Sequence, residues 1–334
     1  MKFTMNEALS HRILEKSAKP AVYRMVKARA PSSTANLGSG FDVFGMALAL
    51  FHDTIEIEIV PAQGLTVSVE GIDAKRVSTV VQKNTAGFVA SMMMEAMNRR
   101  EGLRIRLIKG VPIGGLGSSA ASAAACVRAL DEMFGLGMNS KDLVELAAQS
   151  ENVSAGVAHF DNVAAAVMGG FVLITQDPLR IVQLAPPKTL EVAVAIPRID
   201  LPNEKTKVMR HILPKTVDFA SASHNVAYAS LLVAGMALSD IEIIGKAMSD
   251  SIVEPIRSRS IPMFDSVKKA ALSAGASGFA ISGAGPTVIA LCDKNKTVTR
   301  DVAHAMKETF QNGGVSCEVY STMPSSGVSI VEKR

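Results

Sequence analysis

A glycine-rich run with three serines, Gly114-Gly-Leu-Gly-Ser-Ser-Ala-Ala-Ser-Ala-Ala-Ala125, is the part of the sequence best suited to chemistry. Glycine has no Cβ, so backbone N–H groups in such a run can come close to an anion. A helix beginning here would add unpaired N–H donors and partial positive charge. The run predicts a polyphosphate cradle, or alternatively a turn before a buried helix. It matches neither the Walker A loop, which continues with Gly-Lys-Ser/Thr, nor the dinucleotide fingerprint.

Two other segments combine glycines with polar side chains. In Ile281-Ser-Gly-Ala-Gly-Pro-Thr-Val-Ile289 the backbone could approach a ligand or the first run, or could form a hairpin connection. In Pro31–Leu48, Asn36 and Asp42 flank two glycines, and this segment is expected to be too irregular for a helix or strand. Their amide and carboxylate could hold an ammonium or hydroxyl group, or only their own backbone in an Asx turn.

Helices and strands of ordinary length must position these segments. A strand over Leu103–Lys109 leads into the first run, and an alanine-rich helix over Ser118–Phe134 follows it. Strands and helices intermix without regular βαβ repeats, which predicts an α+β protein. The other predicted helices are Lys141–Gln149, Lys205–His211, Asn225–Leu238, Ile241–Ser249, Met263–Ser273 and Val298–Phe310, with strands at Thr54–Val60, Leu65–Val69, Phe171–Thr175, Glu191–Ile196, Phe279–Ile281, Val288–Leu291 and Val315–Tyr320.

Composition narrows the class of protein. With 48% hydrophobic and 20% charged residues in 334, the chain can bury a core, which excludes wholesale disorder. A net charge of +4 without a basic stripe, and only 4% aromatic residues, disfavour nucleic acid as a partner. The longest uncharged run is too rich in Gly and Ser for a membrane span, and no signal peptide is expected. Cys126, Cys292 and Cys317 fit neither a disulfide framework nor a metal site, which favours a reducing cytoplasm.

Together the three segments closely resemble the galactokinase, homoserine kinase, mevalonate kinase and phosphomevalonate kinase (GHMP) superfamily, from about Met25 to the end. The first segment in chain order, PSSTANLGSGFDVFGMAL, is similar to the homoserine kinase branch in particular. One departure is the spacing, because only Ile113 and Gly114 separate Pro112 from Gly-Leu-Gly-Ser-Ser, where relatives usually have three residues. That difference affects where the loop amides lie and leaves the role of the loop unchanged.

The resemblance implies a two-domain α+β fold. It places a mixed α/β ATP-binding domain over residues 25–174 and a ferredoxin-like domain over residues 175–334. Residues 1–24 are treated as an N-terminal extension, in which Leu9, Ile13 and Leu14 could make one weak amphipathic turn. A homodimer is common among such relatives.

For the nucleotide, the resemblance implies that the loop binds ATP and that the Ser119 hydroxyl and the Glu151 carboxylate hold Mg²⁺. A hydroxyl and one carboxylate leave room for phosphate oxygens and waters around this hard ion. Asn84 matches a region that contacts adenosine, although it could equally cap the helix that starts at Thr85. The full implied ATP-binding set is Asn84, Pro112, Ile113, Gly114, Gly115, Leu116, Gly117, Ser118, Ser119 and Ala120.

For the acceptor, the resemblance implies a zwitterionic amino acid. Asn36 and Asp42 would bind its ammonium end, and Arg210 and Arg257 its carboxylate through paired hydrogen bonds. Arginines at helix ends are otherwise often solvated. The full implied substrate-binding set is Asn36, Asp42, His159, Asn162, Thr206, Arg210, Arg257, Gly283 and Gly285.

For catalysis, the resemblance implies ATP- and Mg²⁺-dependent phosphorylation of L-homoserine on its hydroxyl, a step toward threonine. Asn162 would orient the hydroxyl, with Asp161 as the alternative general base and Ser119 and Glu151 acting through the metal. Two other functions stay open, a related kinase for mevalonate or shikimate and a ligand-binding relative without turnover.

Overall fold

The computed structural model describes residues 7–17, 20–150, 160–200 and 205–334. The helices are α1 (Glu7–Lys16), α2 (Thr85–Ala96), α3 (Ser118–Phe134), α4 (Ser140–Gln149), α5 (Phe160–Met168), α6 (Lys205–His211), α7 (Phe219–Leu238), α8 (Ile241–Lys246), α9 (Glu254–Arg257), α10 (Phe264–Ser273) and α11 (Thr299–Asn312). The strands are β1 (Met25–Asn36), β2 (Gly40–Val60), β3 (Leu65–Gly71), β4 (Gly102–Lys109), β5 (Phe171–Gln176), β6 (Leu179–Leu184), β7 (Leu190–Pro197), β8 (Gly278–Ile281), β9 (Val288–Asp293), β10 (Cys317–Thr322) and β11 (Ser329–Lys333).

The first sheet has the strand order β11-β1-β2-β4-β3, and β5 and β6 extend it from the other end of β2. Its pairs are antiparallel except for β3 with β4, which are parallel. Helices α2, α3, α4 and α5 pack together, with α3 and α5 lying against β1 and β2. The sheet and these helices share one hydrophobic core, so the residues between β4 and α3 are held by rigid elements on both sides.

The alanine-rich helix α3 spans the predicted residues Ser118–Phe134. Glycines flank it at both ends, and both Gly117 and Gly135 adopt left-handed backbone conformations, with φ of 68° and 60°. Its alanines are buried, which lets its backbone approach the sheet closely. Burial of larger side chains such as Leu130 stabilises the contact by about 1.5–3 kcal/mol each.

Strands β1 and β2 form a long hairpin, so the prediction that Pro31–Leu48 is too irregular for strands was wrong. Ser32 pairs with Leu48 and the register continues to the end of β1, with shifts after Pro31 and after Ala35. These shifts, and small polar residues that are buried, break the alternation that would mark a strand. Buried hydroxyls on β1 find partners inside the protein; Ser32 Oγ, for example, donates to the Leu48 carbonyl at 3.2 Å.

The N-terminal extension contains helix α1, which is longer than the single turn predicted. Leu9 and Ile13, one helical turn apart, are each only 1% exposed and belong to the main core. Arg12 also pairs with Asp142 of α4 at 2.6 Å. The helix is therefore held by apolar burial as well as by an ion pair with the body of the protein.

The second sheet has the order β10-β7-β9-β8 and is antiparallel throughout. Helices α10 and α11 cover it and share its core through residues such as Phe264 and Phe310. The connection of strands and helices is βαββαβ, which confirms the ferredoxin-like prediction for this half.

The first sheet also holds strands beyond residue 174. The boundary predicted between residues 174 and 175 falls inside β5, and β6 pairs with β5. The C-terminal strand β11 then returns to β1. The Pro186-Pro187 pair lies between β6 and β7, where the chain passes from the first sheet to the second. In the described ranges, every helix is too short or too polar to span a bilayer.

Candidate active site

The three segments singled out in the sequence meet at the junction of the two sheets. Ser282 Oγ donates to the Gly115 carbonyl at 2.6 Å, and the Gly283 N–H donates to the Ala35 carbonyl at 3.1 Å. They border one cavity of about 510 Å³. Residues far apart in the chain therefore form a single cleft.

The loop before α3 depends on glycine at particular positions. Gly114, Gly115 and Gly117 have φ of 148°, 111° and 68°. A Cβ on Gly115 would lie 2.4 Å from the Ser282 carbonyl oxygen, and one on Gly117 would lie 2.1 Å from Ser33 Oγ. Gly115 and Gly117 therefore pack too closely against backbone and hydroxyl groups to carry a side chain. The loop leads directly into the N-terminus of α3, the geometry expected of an anion site.

A buried ion pair holds both ends of this loop. The Lys109 ammonium pairs with the Asp53 carboxylate and also donates to the Ser118 carbonyl at 2.9 Å and to Ser122 Oγ at 3.1 Å, in the first turns of α3. Asp53 Oδ1 accepts the N–H groups of residues 110 and 111, each at 3.0 Å. Burial lowers the pKa of Lys109, and the Asp53 charge opposes that shift.

Most of the residues predicted to bind ATP line the cavity. Pro112 and Leu116 do not, and Leu116 is fully buried in the core. The Ser118 hydroxyl donates to the Val111 carbonyl at 2.9 Å, so it closes the loop. The members that border the cavity are Asn84, Ile113, Gly114, Gly115, Gly117, Ser118, Ser119 and Ala120.

Asn84 caps a helix, which was one of the two roles predicted for it. Its Oδ1 accepts the Gly87 N–H at 3.0 Å, which confirms it as the N-cap of α2, and its Nδ2 donates to the Ser78 carbonyl at 2.7 Å. It also borders the cavity beside Val77 and Lys83. Contact with adenosine stays a prediction.

Asp42 and Arg210, predicted to bind opposite ends of the acceptor, pair with each other. One guanidinium nitrogen of Arg210 donates hydrogen bonds to both Asp42 carboxylate oxygens, at 2.5 and 2.7 Å. Its Nε is buried without a hydrogen-bond partner among the described residues. The guanidinium carbons of Arg210 and Arg257 lie 5.2 and 5.1 Å from the centre of the Phe41 ring.

Arg257 is fixed at the floor of the same cavity. It is 4% exposed, and it donates to the Gly283 carbonyl at 3.0 Å. Burial lowers its pKa to about 10, although the Asp42 charge opposes this shift. Asn36 donates to the same carbonyl at 3.0 Å, and Thr206 borders the cavity, whereas Gly285 does not.

Asp161 and Asn162 lie side by side at the start of α5 and border the cavity. Asp161 Oδ1 accepts both the backbone N–H and the side-chain N–H of Asn162, at 2.7 and 3.2 Å. Ser33 Oγ donates to Asn162 Oδ1 at 2.9 Å. The Asn162 amide is thus held on two sides. The predicted residues Glu151 and His159 lie outside the described residues.

Several charged residues of the cavity were missed by sequence reasoning. The Lys109–Asp53 pair, Arg76 and Lys205 belong to no predicted site, although all but Asp53 border the cavity. Lys205 was the most accessible to prediction because it is adjacent to Thr206, which was in the substrate set. Lys109 and Asp53 are 56 residues apart, and nothing in their local sequence signals the pairing.

Comparison with known proteins agrees with this geometry. Residues 82–170 match the GHMP kinases N terminal domain, and residues 232–312 match the GHMP kinases C terminal model. The chain is 40% identical over 309 residues to a homoserine kinase from Methanocella arvoryzae, covering 92% of this chain and 98% of that protein. It is 38% identical to a homoserine kinase from Halorubrum lacusprofundi, covering 92% and 100%. The crystal structure of a homoserine kinase from Cytophaga hutchinsonii superposes with a TM-score of 0.87 at 36% identity, covering 94% and 99%.

These matches place the chain among enzymes that phosphorylate hydroxyl groups with ATP. The chain belongs to the GHMP kinases. Within that family, its similarity is to homoserine kinases over nearly their whole length.

Proposed function

We propose that this protein transfers the γ-phosphoryl group of ATP to the side-chain hydroxyl of L-homoserine, producing O-phospho-L-homoserine on the route to threonine. The observation that carries the proposal is that Asp42, which borders the phosphate-loop cavity, pairs with Arg210, which does not itself line the cavity. The charges of this pair are complementary to those of an amino acid. The ammonium of a bound amino acid could pair with the Asp42 carboxylate, and its carboxylate with the Arg210 guanidinium. Mevalonate and shikimate lack the ammonium that Asp42 would bind.

The second guanidinium supports the same acceptor. Arg257 and Arg210 both lie against the Phe41 ring, and the buried Nε of Arg210 has no hydrogen-bond partner among the described residues. Two guanidinium groups can hold a carboxylate with several charge-assisted hydrogen bonds. The acceptor's carboxylate would therefore lie near Arg210 and Arg257, with its ammonium toward Asp42 and Asn36.

For the nucleotide, we assign the phosphates to the amides of the loop and the start of α3. Gly115, Gly117, Ser118 and Ser119 all border the cavity. The Ser119 hydroxyl makes no hydrogen bond to another described residue, which fits a ligand for Mg²⁺. Ser119 and Glu151 would hold that ion, which supplies neutralisation of phosphate charge.

For the chemical step, Asn162 is assigned to orient the homoserine hydroxyl. Its amide is fixed by Ser33 and Asp161, so it is pre-positioned. Asp161 directs one oxygen to two N–H groups of Asn162, which suits an orienting role. Phosphoryl transfer needs little proton abstraction, since positioning and charge stabilisation supply most of the acceleration.

We also propose that the protein acts as a homodimer in the cytoplasm. Helix α7 leaves Phe219, Val226 and Leu238 exposed by 89%, 68% and 71%, a large apolar area for a second copy to cover. The three cysteines are separate buried thiols, which suits a reducing compartment. Light scattering of the purified protein measures the oligomeric state, and a monomer at micromolar concentration would contradict the proposed homodimer.

An acceptor panel tests the proposed reaction. ADP release would be measured with ATP and Mg²⁺ in the presence of L-homoserine, mevalonate or shikimate. Of the three acceptors, only L-homoserine is expected to be turned over. Turnover with another acceptor and none with homoserine would contradict the choice of substrate, and ligand binding without ADP release would indicate a non-catalytic relative.

A further inference from the structure

Lys205 places an ammonium group in the cleft beside both glycine-rich loops. It is the first residue of α6, and its Nζ donates to the Gly285 carbonyl in the second loop. It borders the same cavity as Gly115, Gly117 and Asn162. A cation at this point faces the space between the phosphate loop and the side chain assigned to the acceptor hydroxyl.

The charges around this cavity are unbalanced. Among the described residues that line it, five are basic and two are acidic. Asp42 is already paired with Arg210, and Lys109 with Asp53. Lys205 makes no ion pair with a carboxylate in the described part of the chain and is held by a neutral carbonyl. The charged lining groups are Asp42, Arg76, Lys83, Lys109, Asp161, Lys205 and Arg257.

An anion bound in the cavity would stabilise the protonated form of Lys205. Burial, together with the nearby Arg257 and Arg76 charges, lowers the pKa of Lys205 to about 7. The folded protein therefore holds Lys205 mostly neutral above pH 7. A bound polyphosphate would reverse the effect, because a nearby negative charge favours the protonated form.

We propose that Lys205 is a catalytic residue, whose ammonium donates to the γ-phosphoryl oxygens while that group moves from ATP to homoserine. The proposal rests on the proposed function. The bond from the γ-phosphorus to the ADP oxygen breaks as the bond to the homoserine oxygen forms, and the hydroxyl proton passes to a phosphoryl oxygen. Lys205 keeps its proton throughout and stabilises the charge spread over the transferring group.

Proton uptake on ATP binding tests this without any acceptor. Calorimetry at pH 8 in two buffers of different ionisation enthalpy gives the number of protons taken up. A lysine with a pKa of about 7 is roughly one-tenth protonated at pH 8, so ATP binding should take up nearly one proton. The uptake should fall to near zero in Lys205→Met and persist in Lys207→Met, an exposed lysine of the same helix. Equal uptake by the wild type and Lys205→Met would overturn the proposal.

Turnover distinguishes a catalytic role from a structural one. Lys205→Met should lower kcat with L-homoserine by about 100-fold or more, as for loss of one charge-stabilising donor, while KM for homoserine changes by less than threefold. Lys205→Arg should recover part of kcat and retain kcat/KM for ATP at a higher pH than the wild type, because a guanidinium keeps its proton. A Lys205→Met enzyme within threefold of the wild type, or identical pH profiles for wild type and Lys205→Arg, would overturn the proposal.

The two hypotheses fail in different ways. A wild-type protein that turns over no homoserine contradicts the proposed function, whereas the proton count on ATP binding then still decides the role of Lys205. If Lys205→Met folds poorly by circular dichroism, Lys205→Arg supplies the same comparison through its pH profile.

Discussion

Asp53 and Lys109 form a buried ion pair that joins the first amides of the phosphate loop to the first turns of α3. Asp53 is fully buried, and the Lys109 side chain is 2% exposed. Each partner also hydrogen-bonds to the loop or to the helix, so the pair fixes the distance between the two ends of the loop. Neither residue needs to touch ATP for the pair to shape the site.

Breaking this pair should strongly destabilise the protein. Asp53→Asn leaves a buried ammonium without its counter-charge, a change that costs about 3–5 kcal/mol of unfolding free energy. Urea unfolding measures it. The control is Glu58→Gln on the same strand, where an exposed pair with Arg104 contributes about 1 kcal/mol or less. Equal losses of unfolding free energy in the two variants would contradict this role of the Asp53–Lys109 pair.

Nucleotide binding should require glycine at position 117 because there is no space for a side chain there, in addition to its left-handed backbone conformation. An alanine there would bring Cβ 2.1 Å from Ser33 Oγ and 3.0 Å from Asn162 Oδ1. Gly137 is a matched control, because it has φ of 57° and open space around its Cβ direction. Both substitutions carry a left-handed strain of roughly 1–2 kcal/mol, but only Gly117→Ala should raise KM for ATP, by about tenfold or more, which corresponds to 1.4 kcal/mol. A KM for ATP that is unchanged in Gly117→Ala would contradict this.

Sequence reasoning worked best where local signals agree. The helix at Ser118–Phe134 was predicted with its observed bounds because glycines flank a run of strong helix formers. The helix predicted at Lys141–Gln149 is also present, and the Asn139 side chain caps it by accepting the Asp142 N–H at 2.9 Å. The convergence of the glycine-rich segments was open from the residues alone and followed only from the family resemblance.

Contacts between distant parts of the chain were the principal failures. Asp42 and Arg210 are 168 residues apart, and each was assigned to a ligand group without the other in view. The β1–β2 hairpin was missed because bulges and buried hydroxyls hide its alternation. Leu9 and Ile13 gave a correct apolar spacing, but the surface that buries them is formed only by the folded protein.

Asp42 should be specific for the ammonium of the acceptor. Asp42→Asn removes a charged hydrogen-bond acceptor worth about 1.5–3 kcal/mol, so KM for L-homoserine should rise roughly 10- to 150-fold while KM for ATP is unchanged. Steady-state kinetics with 4-hydroxybutyrate, which lacks the ammonium, provide the control. The wild type and Asp42→Asn should use that analogue equally poorly, and a similar loss for both acceptors would contradict the assignment.

Asp161 should orient Asn162 rather than abstract a proton. In Asp161→Asn the new amide oxygen can still accept the Asn162 N–H groups that Asp161 Oδ1 accepts. The single-turnover rate should therefore fall only by roughly threefold, whereas loss of a general base costs about 10²–10⁴-fold. Rapid-quench measurement of the single-turnover rate decides between the orienting role and general-base catalysis. A rate lowered by 100-fold or more would establish Asp161 as the base.

A crystal structure with L-homoserine and a non-hydrolysable ATP analogue tests the central claim most directly. It should show the triphosphate against the amides of Gly115, Gly117 and Ser118, with the homoserine ammonium on Asp42 and its hydroxyl directed at the γ-phosphate. A triphosphate bound away from the N-terminus of α3, or homoserine bound outside the cleft between Asp42 and Arg257, would contradict the account.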